Sequence, residues 1–307
     1  MTSDPATSNS VLMVRPAAFG FHAEAAETNV FAGAAGKDAH EQALREFDEV
    51  VERLSRAGIE VLILDDAPQP PRPDAIFPNN WVSFHADGTL VLYPMATEAR
   101  RIERNVDGLT ALLEASGFAV RKMVDLSFHE RHRHYLEGTG SLVLDRPARR
   151  AFASLGPRTD AVVIADFDDR LDYSTLVFDA RDRSGRPIYH TNVLLTFGSR
   201  FAVLCTDTVA PEYRELLKDE IEASGREIVE VDFDQLQQFA CNLIELRGRD
   251  GQPLIALSSA ALASFTPAQR RTLERFGELI DAAIPTIEAV GGGSLRCMLA
   301  DIHLPRE

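Results

Sequence analysis

Apolar residues in this chain fall into short runs of three to six, separated by longer stretches in which they recur every three or four positions. Val11 to Arg15 is such a run, stopped by Pro16, and reads as a strand. Residues 16–38 are rich in Gly and Ala and read as a surface loop, a candidate lid. From Ala39 to Ala57, the spacing of Ala43, Leu44, Phe47, Val50, Val51 and Leu54 puts one apolar stripe on a helix that ends at Gly58. Val61 to Leu64 reads as a buried strand, followed by a rigid Pro-rich connection at 68–73.

The same order then recurs. Trp81 to Phe84 and Thr89 to Tyr93 flank Ala86-Asp87-Gly88, a hairpin signal; a helix is predicted from Glu98 to Ser116 and a strand from Ala119 to Val124. Later rounds read as strands at 141–144 and 150–154, a helix at 159–170 and a strand at 175–178. They continue with strands at 193–197 and 201–205, a helix at 211–224 and a strand at 227–231. The last round has strands at 243–246 and 254–257, a helix at 266–280, and a strand running into Gly291-Gly292-Gly293. The residues that open the hairpins, Asn80, Glu137, Asn192, Asn242 and Cys297, stand 57, 55, 50 and 55 positions apart. A fixed period of this size marks a stacked or radial repeat. Five strand-strand-helix-strand units, none able to bury its sheet alone, imply a closed ring, with Val11 to Arg15 completing the last hairpin. The expectation is one α/β domain over 1–307, a five-bladed α/β propeller, with residues 1–10 an unstructured tail.

The ring concentrates chemistry, because equivalent positions converge on its axis. Cys297 follows three glycines, which let the backbone approach closely and present a thiol. A thiol reacts as thiolate and needs a base nearby. His190, two residues before Asn192, supplies one, and Glu137, before Gly138-Thr139-Gly140, can orient the imidazole. Each has a plainer reading alone: a small buried hydrophobe, an edge histidine, a turn residue. Their shared phase in one repeat is what selects them as catalytic. Cys205 and Cys241 lack that setting and read as structural. His129, His132 and His134 lie among Arg131 and Arg133 and read as a solvated loop rather than metal ligands. Asn79 and Asn80, beside the single Trp81, can grip a planar polar group.

Composition removes several classes. A net charge of −15 argues against a nucleic-acid partner. No apolar run has the roughly 20 residues of a membrane helix, and Met1 to Ser10 has no signal-peptide pattern. Three Cys without disulfide or zinc spacing fit a reducing, cytoplasmic setting. No metal or organic cofactor is required, and the oligomeric state, monomer or homo-oligomer, is left open.

At these residues the chain resembles the pentein superfamily of guanidino-modifying enzymes: arginine deiminases, dimethylarginine hydrolases and amidinotransferases. Phe77-Pro78-Asn79-Asn80-Trp81, Leu136-Glu137-Gly138-Thr139-Gly140, His190-Thr191-Asn192 and Cys297 match its motifs over nearly the whole chain. The resemblance implies Cys297 as nucleophile, His190 and Glu137 as its partners, and Arg100 and Arg158 as holders of a substrate α-carboxylate, a role suited to the guanidinium fork. Arginine-type members hold a cationic guanidinium with carboxylates where this chain has Asn79, Asn80 and Asn192, and the chain also departs at Thr139 and Gly140. Amides both donate and accept, which suits a neutral ureido group. The wording of the motifs is similar to the citrulline-utilisation branch, implying a small-molecule hydrolase that cleaves citrulline. The alternatives are an arginine deiminase or dimethylarginine-type hydrolase and, from another class, a non-enzymatic ribosome-associated factor of the same fold.

Overall fold

The computed structural model describes residues 5–307. β1 (Ser10–Arg15) and β2 (Glu60–Asp65) run parallel, joined through the helix Ala39–Arg56. That helix buries Ala43, Phe47, Val50 and Leu54 and turns its Glu- and Arg-rich face to solvent. The next sheet has β3 (Val82–Phe84) antiparallel to β4 (Thr89–Leu92), and β4 parallel to β5 (Lys122–Asp125). The pattern repeats in β6 (Val143–Asp145), β7 (Arg150–Leu155) and β8 (Ser174–Asp179). It repeats again in β9 (Leu195–Phe197), β10 (Phe201–Leu204) and β11 (Glu227–Glu230). A further round has β12 (Ile244–Arg247), β13 (Pro253–Ser258) and β14 (Glu278–Ala282).

β15 (Ala300–Asp301) then returns antiparallel onto β1, so the two ends of the chain share one sheet. Five three-stranded sheets result among the described residues. The short strands touch across the ring, β6 on β9, β9 on β12 and β15 on β3. In each sheet the chain passes from the middle strand to its parallel neighbour through a helix, because a parallel pair needs a crossover connection. The five-bladed α/β ring read from the repeat is thus the architecture observed, and no helix of the described residues is long and apolar enough to cross a membrane.

Several expectations are corrected. Of the supposed tail, residues 1–4 lie outside the described residues, but Thr7 and Ser8 are buried and Ser8 Oγ donates to the carbonyls of Ser10 and Ile302. The helix over 98–116 is two, Glu98–Arg101 and Val106–Ala115, because Arg100 and Glu103 turn inward to pair and Asn105 caps the second by accepting from Gly108 N. The helix over 266–280 stops at Glu274: the 3–4 spacing of Leu273, Phe276 and Ile280 mimics a helix, yet 278–282 pair with β13. The strand expected before the glycines is a helical turn, Ile287–Gly291. β13 already has β12 and β14 on its two sides, and Glu46 caps the turn by accepting from Thr286 N and Ile287 N at 2.9 Å each. Within the 16–38 loop stands a short helix, Ala23–Ala26, and Phe19, His22, Ala25 and Asn29 are buried.

Ring closure makes β1 the seam strand. Leu12, fully buried and paired with Ala300, should therefore matter beyond its own sheet. Leu12→Ala is expected to lower stability by about 2–5 kcal/mol in urea unfolding; a cost below about 1 kcal/mol would mean the seam carries little of the fold.

Candidate active site

Tight turns precede the short strands at one end of the ring: Pro78–Asn80, Gly138–Ser141, Thr191–Val193 and Leu295–Met298. A turn there aims its side chains toward the axis rather than into a sheet face. Asn80, His190, Cys297, Arg100 and Arg158 line one cleft. Glu137, Asn79 and Asn192 stand behind its walls.

The Glu137 carboxylate is fully buried. His190 Nε2 lies 2.8 Å from its Oε2, Arg158 Nη1 donates to the same oxygen at 3.3 Å, and Arg100 Nη1 is 3.8 Å away. Ala96 N donates to Oε1 at 3.0 Å. Burial pushes this carboxyl up, but Arg158, the His190 hydrogen bond and Arg100 outweigh it and hold the group well below the usual carboxylate range. It is an anion at every pH of interest.

Burial lowers His190 to about 4; Glu137 opposes the shift, and the Arg158 and Arg100 charges add to it. The imidazole is therefore neutral near pH 7. A carboxylate only accepts, so Nε2 carries the hydrogen and Nδ1 holds the lone pair. Gly140 makes this placement feasible. A Cβ there would sit 2.5 Å from Asn80 Nδ2 and 2.8 Å from His190 Nδ1, so a missing side chain lets both groups crowd the same spot.

Burial raises the Cys297 thiol, with the Asn242 amide, Ser294 N, Arg296 and the Asn192 amide pulling the other way. Asn242 Nδ2 and Asn192 Nδ2 point at the sulfur from 3.3 and 3.7 Å. The thiol and the neutral imidazole line the same cleft. Cys205 is pushed up to about 12 by burial and Cys241 also rises, and neither lines the cleft. His129 and His134 pair with Asp166 and Asp160 at 2.9 and 2.7 Å, away from the site.

The amides differ in what they leave open. Asn80 Oδ1 accepts from Arg100, while its Nδ2 is buried without a hydrogen-bond partner. Asn192 Nδ2 donates to Thr139 O at 3.1 Å, while its Oδ1 is buried without one. Asn79 has neither amide atom bonded and does not line the cleft; its backbone carbonyl accepts from Thr139 Oγ1.

Arg100 and Arg158, which the resemblance implies as holders of a substrate α-carboxylate, are both engaged by protein acceptors. Arg100 donates to Glu103, Asn80 and the carbonyl of Phe77. Arg158 donates to Thr28 Oγ1, Glu137 and the carbonyl of Ala25. Both are buried and committed to protein acceptors, because a buried guanidinium must be fully satisfied.

Sequence reasoning missed Asn242, although it sits at the repeat phase that picked out the other residues. It also missed Asp74, Asn29 and Tyr189 in the cleft wall. Asp74 Oδ2 is 2.7 Å from His22 Nδ1, and Asn29 Nδ2 donates to Gly292 O at 3.0 Å, so the 22–29 segment covers the cleft. Tyr189 Oη also donates to Gly292 O, at 2.7 Å. No signal of spacing marks these residues, since they come from a loop outside the repeat or face the cleft from a neighbouring turn.

A ring of five such blades with a buried Cys, His and Glu meeting at one end is the pentein arrangement. The family model described as N,N dimethylarginine dimethylhydrolase, eukaryotic, matches residues 15–304, and the chain belongs to that family, whose members hydrolyse carbon–nitrogen bonds of amidino groups. No curated protein matches the chain. Among solved structures, the N-terminal domain of ArgZ, an arginine dihydrolase from the ornithine-ammonia cycle in cyanobacteria, bound to substrate, aligns with TM-score 0.74 at 16% identity, covering 96% of this chain and 99% of that one. AgrE with L-arginine aligns with TM-score 0.75 at 15% identity, over 97% of this chain and 40% of that one. A dimethylarginine dimethylaminohydrolase adduct aligns with TM-score 0.65 at 13% identity, covering 96% and 99%. At such identities these likenesses establish the fold.

Two outcomes follow from the geometry. Gly140→Ala should cut kcat/KM by at least about a hundredfold, since its methyl group would push Asn80 and His190 apart. Unimpaired turnover would mean that Asn80 and His190 are not jointly positioned. The second concerns pH. His190 titrates at about 4 when folded and near 6.5 unfolded, so between these values the unfolded chain binds more protons. The stability that neutral His190 contributes is complete above pH ~6.5 and is lost as pH falls toward 4. His190→Gln should flatten that part of the Tm–pH curve, and an unchanged slope would contradict a buried neutral imidazole.

Proposed function

We propose that the chain is a cysteine-dependent hydrolase of the ureido group of citrulline, releasing ornithine, carbon dioxide and ammonia. One observation carries the reading. The cleft offers a buried unpaired donor, Asn80 Nδ2, and behind Cys297 a buried unpaired acceptor, Asn192 Oδ1. A ureido group has a carbonyl oxygen to accept from the first, the one of the two that lines the cleft. A guanidinium presents donors only and would meet Asn80 Nδ2 donor to donor. Leaving buried groups unpaired is costly, so such a site discriminates strongly.

The chemistry then runs through Cys297 and His190, which line the same cleft. His190 Nδ1 takes the Cys297 proton, and the sulfur bonds to the ureido carbon. Charge develops on the carbonyl oxygen, where Asn80 Nδ2 donates. Imidazolium, stabilised by Glu137, returns the proton to the terminal nitrogen. The carbon–nitrogen bond breaks and ammonia departs, leaving a thiocarbamate that still carries the ornithine nitrogen. His190 next takes a proton from water, whose oxygen bonds to the carbon. The carbon–sulfur bond breaks, Cys297 regains a proton, and the released carbamate loses carbon dioxide to give ornithine. Arg158 is the candidate for the α-carboxylate once the 22–29 segment shifts, because two of its three partners, Thr28 and Ala25, belong to that segment.

A guanidino substrate is the second reading. The family model and Asp74 in the cleft wall favour it, although Asp74 already pairs with His22. Incubation with citrulline, arginine and methylated arginines separates the two. The expected result is equimolar ornithine and ammonia from citrulline, with turnover lost by more than about a thousandfold in Cys297→Ala. Citrulline accumulating as a product from arginine or a methylated arginine would overturn the reading.

A further inference from the structure

Resting on the ureido reading, we infer that Arg100 is a specificity-determining residue: held by Glu103, it fixes which end of the Asn80 amide faces the substrate. The argument starts from the guanidinium, which has five N–H donors and no acceptor. Whatever touches it must offer an oxygen. Arg100 Nη1 lies 2.7 Å from Asn80 Oδ1, so the Asn80 carbonyl is turned toward Arg100 and its NH₂ toward the cleft. An asparagine amide left to itself can turn over, exchanging donor for acceptor at almost no cost in shape. Here it cannot, because the turned amide would set its NH₂ against a buried cation.

Arg100 is itself immobile. Its Nε donates to both Glu103 oxygens at 3.1 and 3.2 Å, its Nη2 donates to Glu103 Oε2 at 3.0 Å, and Nη2 also reaches Phe77 O at 3.1 Å. Arg100 and Glu103 are 2 and 5% exposed. A bidentate pair so deeply buried is a rigid fork rather than a mobile side chain. The position that resembles a carboxylate clamp therefore also acts through Asn80. The polarity at Asn80, donor toward the substrate, is set by its contact with Arg100.

The test compares citrulline and arginine on pair variants. Removing one member alone strands a buried charge, so both change together: Arg100→Gln with Glu103→Gln, and, as an apolar pair of similar volume that such sites commonly tolerate, Arg100→Met with Glu103→Leu. The readout is discrimination, the kcat/KM for citrulline multiplied by the competitive Ki for arginine. In both pair variants it should fall by about tenfold or more, as Asn80 gains freedom to present Oδ1. Arg100→Lys, which still donates to Asn80, should keep it near the wild-type value. A carboxylate clamp gives a different result, because citrulline and arginine share the α-carboxylate: both weaken together and discrimination is unchanged. That outcome in either folded pair variant overturns the inference. Wild-type enzyme that fails to turn over citrulline overturns the ureido reading instead, so the two failures are distinct.

Discussion

One buried carboxylate holds the site together. Glu137 has no access to water, yet burial alone would make it neutral. Arg158, Arg100 and His190 keep it charged, and each is in turn fixed by that charge. From this hub the rest follows: the imidazole takes one tautomer, its second nitrogen keeps its lone pair, and two guanidinium groups are held in a site where neither would be stable without an anion. The fold's contribution is to bring residues from three separate blades to that point.

The ring and its chemical phase were legible in the sequence because they are written in spacing. Asn80, Glu137, Asn192, Asn242 and Cys297 recur at a period that no short-range pattern can imitate, and closure through Val11 to Arg15 followed from an incomplete last blade. Boundaries were less legible. Leu273, Phe276 and Ile280 satisfy a helical spacing and yet divide between a helix and β14, because pairing with β13 decides the matter. The Ile287–Gly291 turn was hidden for a related reason: an apolar run reads as a strand unless one knows that no sheet edge is open to it.

Charged side chains were the least legible of all. Arg100 and Arg158 carry the motif positions of a carboxylate clamp, and both lie at the cleft. Their partners, Glu103, Asn80, Thr28 and Ala25, are invisible to motif reading, since a motif says where a residue is and not which of its donors are already taken. The same holds for Asn80 and Asn192. Their identity as amides is legible, but only the neighbours Arg100 and Thr139 show which amide atom of each is left without a partner.

The most direct check of the account is the mass of the covalent species on the enzyme. Enzyme acid-quenched during turnover of citrulline should carry, on the peptide containing Cys297, an adduct equal to citrulline less ammonia, and the Cys297→Ala variant should carry none. An adduct lacking the ornithine portion, an adduct formed only with arginine or a methylated arginine, or label on Cys205 or Cys241 would contradict it.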